Sequence, residues 1–211
     1  MNNSHSRKPA ARRLNPRKTP SQPRSLHTVA TILEGAAHIL ERRGLEGYTT
    51  NAIAAHAGVS IGSLYQYFPT KDAITIALIE RESADMVQEA IAALGQTDRR
   101  RALRALIEIA VRHQLRRPVL AKLLDFEQQR LSALLPRSSN AAAAHKALTH
   151  FLESGRTTLA LPAGTAAAEL MAIISTLTDA AGRRGTEPPA PLVARIQGAV
   201  LGYLKAITAP D

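Results

Sequence analysis

Two groups of residues in the 211-residue sequence have the types and spacing that chemistry requires. Gly58-Val59-Ser60-Ile61-Gly62 has the G-x-S-x-G spacing of a serine nucleophile, in which the glycines let a strand turn sharply into a helix and expose the hydroxyl. Directly after it come Tyr65, Gln66, Tyr67 and Lys71. A tyrosine hydroxyl and an ammonium beside a helix N-terminus suit a phosphate oxygen. The seven histidines offer less. His145 and His150 lack the i, i+4 spacing that puts two metal ligands on one helix face, and no acidic pair accompanies them, so neither a metal nor a cofactor is expected. His113 reads as a polar boundary residue, and the pairs Arg116-Arg117 and Arg183-Arg184 as solvated. The absence of cysteine excludes disulfide frameworks, zinc knuckles, iron–sulfur clusters and thiol catalysis.

The surrounding elements decide between a nucleophile and a phosphate-binding surface. A nucleophile elbow needs a β-strand immediately before its serine. Asn51 to Ala57 is instead Ala-rich and helical in pattern, with Thr50 predicted as its N-cap. Gly58 can take the left-handed conformation of a short turn, and Ser60 then caps a second short helix. Val59 and Leu64 hold the N′ and N4 positions of a hydrophobic staple. Pro69 ends this helix and Thr70 caps the next. Two short helices across a glycine turn make a helix-turn-helix. The aromatics gather there as well: of four Tyr and three Phe in the chain, Tyr48, Tyr65, Tyr67 and Phe68 fall in this stretch. Tyr48, Ile53, Val59, Leu64 and Phe68 can form a small core with the preceding helix. Tyr65 and Tyr67 splay to different sides of Gln66, leaving at least one hydroxyl exposed.

The remaining chain also reads as helix, and the predicted fold class is all-α. Val29, Leu33, Ala36 and Leu40 recur at the helical period before Gly44. Leu103, Leu106, Ile107, Ala110 and Val111 repeat it behind Thr97 and Asp98. Pro118 suits a first turn, followed by Leu120, Leu123, Leu124, Glu127, Leu131 and Leu134 up to Pro136. Asn140 is the predicted cap of a helix burying Ala144, Ala147, Leu148, Phe151 and Leu152. Another helix is predicted from Ala163 to Ala181, stopped by Gly182, and a last one from Leu192 to Ile207.

Twenty-seven Lys and Arg against 17 Asp and Glu give a formal charge of +10, which favours a polyanionic partner. Arg7, Lys8, Arg12, Arg13, Arg17, Lys18 and Arg24 all precede the first acid, Glu34. With prolines and little apolar material around them, residues 1–24 are expected to be a disordered basic arm that tracks phosphates or enters a minor groove. No run approaches a membrane span or a secretory signal, so a cytoplasmic location is expected.

The run Thr49-Thr50-x-x-Ile53-Ala54-x-x-Ala57-Gly58-Val59-Ser60-x-Gly62-Ser63-Leu64-Tyr65-x-Tyr67-Phe68-x-x-Lys71-Asp72 resembles the DNA-binding signature of the TetR family of bacterial repressors. The similarity covers roughly residues 28–75; the later helices agree with the family only in number, length and order. The resemblance implies contacts residue by residue. Thr50 corresponds to a phosphate contact through its hydroxyl and backbone N–H. Ile61, Gly62, Ser63, Gln66 and Tyr67 fall on the recognition helix, and Tyr65 and Lys71 resemble the family's phosphate clamps. Chemically, Gln66 suits a bidentate contact to adenine and Ile61 a thymine methyl. Gly62 lets the helix approach the groove. The recognition helix carries no Arg or Lys, a departure that leaves guanine without a direct reader and assigns more to the basic arm or to DNA shape.

The resemblance further implies a homodimer that reads a palindromic operator in double-stranded DNA, joined through the last two long helices. Ala167, Ala180, Gly198, Ala199 and Gly202 are small enough for close approach there. The expected organisation is a basic arm (1–24), a helix-turn-helix domain (25–71) and a helical effector-binding and dimerisation domain (72–211). A small molecule in the last of these is expected to alter operator binding. Met86, Leu106, His113, Leu124 and Phe126 are its candidate contacts, and the scarcity of aromatics disfavours a stacked planar ligand. Two other readings compete: a small serine hydrolase using Ser60, and a basic protein of the membrane surface.

Overall fold

The computed structural model describes residues 23–134, 139–155, 158–184 and 188–209. Residues 1–22, most of the expected basic arm, lie outside the described residues, as does Pro136. Nine α-helices occur among the described residues: α1 (Pro23–Gly47), α2 (Thr50–His56), α3 (Ile61–Tyr67), α4 (Lys71–Leu94), α5 (Arg99–Arg116), α6 (Pro118–Arg130), α7 (Asn140–Glu153), α8 (Ala163–Arg184) and α9 (Pro189–Ala206). Extended pairing among them is limited to an isolated antiparallel bridge between Leu159 and Thr208. The chain forms two compact units that divide between Ala77 and Leu78, inside α4 rather than at its start.

In the first unit α1 packs on α2 and α2 on α3. Its core holds Ile32, Ala36, Leu40, Tyr48, Ile53, Leu64 and Phe68, all but inaccessible to solvent. Full burial of each large apolar side chain stabilises by roughly 1.5–3 kcal/mol, offsetting the marginal stability of two seven-residue helices. Gly44 and Gly58 have φ of 62° and 66°, the left-handed region, and mark the kink in α1 and the α2–α3 turn. Ser60 Oγ accepts from Ser63 N at 3.0 Å and Thr70 Oγ1 from Ala73 N at 3.1 Å, so both act as caps. Thr50 does not cap α2. Its neighbour Thr49 is the N-cap, accepting from Ala52 N at 3.2 Å, because the Thr50 hydroxyl faces Tyr65 instead.

In the second unit α5 packs against α8 and α9, and α7 and α9 also lie against α8. Leu103, Ile107, Val111, Phe151, Leu170 and Ile196 are among the core residues they share. Asp98 caps α5 and Pro118 opens α6, the positions their residue types favour. Two boundaries differ from expectation. Ser139, not Asn140, caps α7, since Asn140 Nδ2 donates to Glu80 O (2.8 Å) and Ser83 Oγ (3.2 Å) on α4. And α8 continues through Gly182 to Arg184: Gly182 has no positive φ, so the left-handed stop never forms. At the other end of the fold, α1 starts at Pro23, within the expected arm.

Candidate nucleic-acid interface and the helical cavity

Alternating burial along α3 produces its outward face. Leu64 points into the core and Ser63 and Tyr67 lie half-buried, leaving Ile61, Gly62, Tyr65 and Gln66 exposed at i, i+1, i+4, i+5. Ile61 is 40% and Tyr65 42% accessible, high for apolar and aromatic side chains. A Cβ on Gly62 would meet only Ser60 Oγ, at 3.8 Å, so this part of the helix surface is flat and open. The Ser63 hydroxyl lies 2.8 Å from Ser60 Oγ and is thereby engaged within the cap.

Tertiary contacts fix the flanking groups. Thr50 Oγ1 and Tyr65 Oη lie 3.1 Å apart, joining the start of α2 to the middle of α3 and aligning two hydroxyls on one surface. Lys71 Nζ sits 5.6 Å from the centroid of the Tyr48 ring, within cation–π range, while Lys71 itself stays exposed. Tyr48 in turn accepts a hydrogen bond from Thr75 Oγ1 at 3.3 Å. No acidic residue occurs between Thr49 and Lys71, so α2, α3 and their turn add no carboxylate that would repel an approaching phosphate backbone. One packing detail was not legible in the sequence: His38 on α1 and His56 on α2 stack with centroids 4.2 Å apart.

Ser60 has φ −67° and ψ 151°, unstrained extended backbone between two helices. Its Oγ is committed to Ser63, and no strand precedes it. The strained strand-to-helix elbow that the G-x-S-x-G spacing would need is absent at these described residues.

Within the second unit α4 to α8 surround a cavity of about 230 Å³. Met86, Leu106, His113 and Leu124 line it; Phe126 does not. Phe126 is 55% exposed, because α6 turns Leu124, Asp125 and Gln128 inward and position 126 outward. Most of the wall is aliphatic, with Ile79, Val87 and Met171 typical. One polar group joins three helices. Gln114 on α5 donates through Nε2 to Asp125 Oδ2 on α6 (3.0 Å) and also to Asp179 Oδ1 on α8. Burial, reinforced by the like charge of Asp179 and resisted by the Gln114 hydrogen bond, pushes the Asp125 carboxyl up to about 6. Burial, with the Arg116 charge beside it, holds His113 below its ordinary value, against an opposing pull from Glu82.

Glu82 is handled differently: Arg81 Nη2 contacts it at 2.5 Å, Arg116 Nη2 at 3.7 Å and Arg117 Nη1 at 3.9 Å. The Arg116-Arg117 pair is thus an anchoring pair around one carboxylate, with Arg117 largely covered, rather than a solvated one. His145 Nε2 lies 2.9 Å from Gly164 O, a contact between α7 and α8. Among the described residues no group of three or more His, Cys, Asp or Glu could hold a metal ion, and no helix is long and apolar enough to cross a membrane.

Gly198 and Gly202 on α9 are exposed, with open space where a Cβ would stand, and Ala180 and Ala199 are half-buried. Ala167, expected at a surface, is completely buried inside the unit's own core, since α8 presents Ala166, Ala167 and Leu170 inward.

Residues 32–78 match the sequence model of the bacterial regulatory proteins of the tetR family. Over 81 residues the chain is 35% identical to the HTH-type transcriptional regulator EthR of Mycobacterium tuberculosis, covering 37% of this chain and 38% of that one. It is 30% identical over 95 residues to the nucleoid occlusion factor SlmA of Glaesserella parasuis, covering 43% of this chain and 47% of that one. The chain thus spans less than half the length of these curated relatives. The fold is shared more widely. The fatty acid degradation regulator FadR of Bacillus halodurans superposes with a TM-score of 0.72 at 18% identity, covering 87% of this chain and 97% of that one. A transcriptional regulator of Pseudomonas aeruginosa gives 0.68 at 22% identity, with 88% and 93% covered. The matched segment carries the outward face of α3 together with Thr50 and Lys71, and through residues 32–78 the chain matches the tetR family of bacterial regulatory proteins.

Proposed function

We propose that this protein is a DNA-binding transcriptional regulator, acting as a repressor whose operator affinity is set by a small molecule in the α4–α8 cavity. The observation that carries the reading is the acid-free outward surface of α3, with Tyr65 tied to Thr50 and Lys71 braced on Tyr48. Ile61, Gly62 and Gln66 face base edges in this reading, whereas Thr50, Tyr65 and Lys71 hold phosphates. Ser63 and Tyr67, half-buried, act as supports at its margin.

One α3 reads too few base pairs for specificity, and a symmetric pair places two of them in successive major grooves about 34–36 Å apart. The outward surface of α8 and α9, where Gly198 and Gly202 leave room for close helix approach, is the proposed dimer face. An effector acts if it prefers the spacing that does not fit the operator; a coupling of about 1–3 kcal/mol changes affinity roughly 5- to 150-fold. Met86, Leu106, His113 and Leu124 are its proposed contacts.

Footprinting of the purified full chain on the DNA upstream of its own gene tests the reading. The expected result is a protected site with two-fold symmetry and half-sites about one helical turn apart. Protection indifferent to sequence would refute it.

A further inference from the structure

Resting on the reading of the α4–α8 cavity as the effector site, we propose that its ligand is a small aliphatic amine, bound as the ammonium ion at Asp125. The charges lining the cavity carry the inference. Among the described residues that line it there is neither Lys nor Arg, so a carboxylate or phosphate entering there finds no counter-charge from them. Of the two acids among the described lining residues, Glu82 is already surrounded by Arg81, Arg116 and Arg117. Asp125 accepts from the neutral amide of Gln114, which also donates to Asp179, and no cation is paired with it among the described residues. An ammonium supplies both the missing charge and the missing N–H donors, and charge-assisted hydrogen bonds are the stronger kind.

The other hydroxyls do not compete for that role. Ser83, Ser175 and Thr178 each donate back to a carbonyl of their own helix. The remaining wall is aliphatic and includes Met86 and Met171, whose unbranched side chains adapt to the shape of an alkyl group. His113 is the only ring among the described lining residues, and they offer no extended aromatic stack. The fold is shared with a protein named for fatty acid degradation, yet the described residues lining this cavity include no Lys or Arg to meet a fatty acid's carboxylate.

Calorimetric titration of the full chain with n-hexylamine, hexan-1-ol and hexanoate at pH 7.5 isolates the charge at constant chain length. The ammonium should bind roughly tenfold or more tightly than the alcohol, and hexanoate weakest. Asp125→Asn should erase that preference while leaving hexanol binding intact. Equal or tighter binding of hexanol or hexanoate overturns the proposal, as does a preference that survives Asp125→Asn. Wild-type protein gives a second test that needs no variant. The preference should shrink below about pH 6 as Asp125 takes a proton; the groups facing it are Gln114 and Asp179, with His113, Glu82 and Arg116 beyond, and later protonation of His113 acts in the same direction. A preference constant from pH 7.5 to 5 overturns it too. If hexanol binds and releases operator DNA without any ammonium preference, the effector cavity stands and the amine falls. If none of the three binds, the amine falls, and a cavity-filling Ala110→Phe variant with unaltered DNA regulation would remove the effector reading as well.

Discussion

Replacing Asp125 by asparagine should stabilise the protein above pH 6 and make no difference near pH 4. The carboxyl is half-buried between α5 and α8, and folding raises it from 3.8 to about 6. Between those two values the unfolded chain has released the proton while the folded chain retains it. The unfolded state therefore binds fewer protons, and stability falls as pH rises through this window. Above pH 6 the full cost is present. At roughly 1.4 kcal/mol per tenfold change in acidity, its upper bound is about 3 kcal/mol, which residual solvent contact reduces toward about 1. Asparagine keeps a carbonyl oxygen for the Gln114 amide and removes the repulsion from Asp179. Urea unfolding of wild type and variant at pH 4.5, 5.5, 6.5 and 7.5 measures the difference. It should grow with pH and level off above about 6.5. A variant less stable than wild type at pH 7.5, or a difference constant across the series, would refute the account of Asp125 as a charge held at a cost.

Lys71→Ala should weaken DNA binding on every sequence alike and lower the slope of log affinity against log salt by about one, measured by fluorescence anisotropy. Gln66→Ala should instead flatten the preference at particular base pairs, and equal losses on operator and random duplex would count against Gln66 as a reader. Ser60→Ala removes the α3 cap and should cost about 1 kcal/mol in chemical denaturation; a change below about 0.2 kcal/mol would mean the cap contributes nothing. Phe126→Ser, at an exposed position outside the cavity, should change stability by less than about 0.5 kcal/mol. A loss of several kcal/mol would put Phe126 back in the core.

The short-helix region was legible because its signals are local. Ser60 and Thr70 cap, Gly58 turns and Leu64 and Phe68 bury themselves for reasons contained within a few residues of each. At two caps the residue expected from the sequence gave way to its neighbour, because distant partners chose. Thr49 caps α2 because Tyr65 takes the hydroxyl of Thr50, and Ser139 caps α7 because Glu80 and Ser83 take Asn140. Periodicity gave the helical stripe of α6, but not that Phe126 would face solvent while Leu124 faces a cavity.

Composition and pattern alone settled the all-α class, the helix-turn-helix and the basic character, since each depends on short-range geometry or on summed charge. The group formed by Gln114, Asp125 and Asp179 belongs to tertiary structure: its members stand on three helices, up to 65 residues apart. No local rule encodes which faces those helices turn toward one another. Packing of α5, α6 and α8 brought two carboxylates to one amide and placed one of them on an aliphatic cavity.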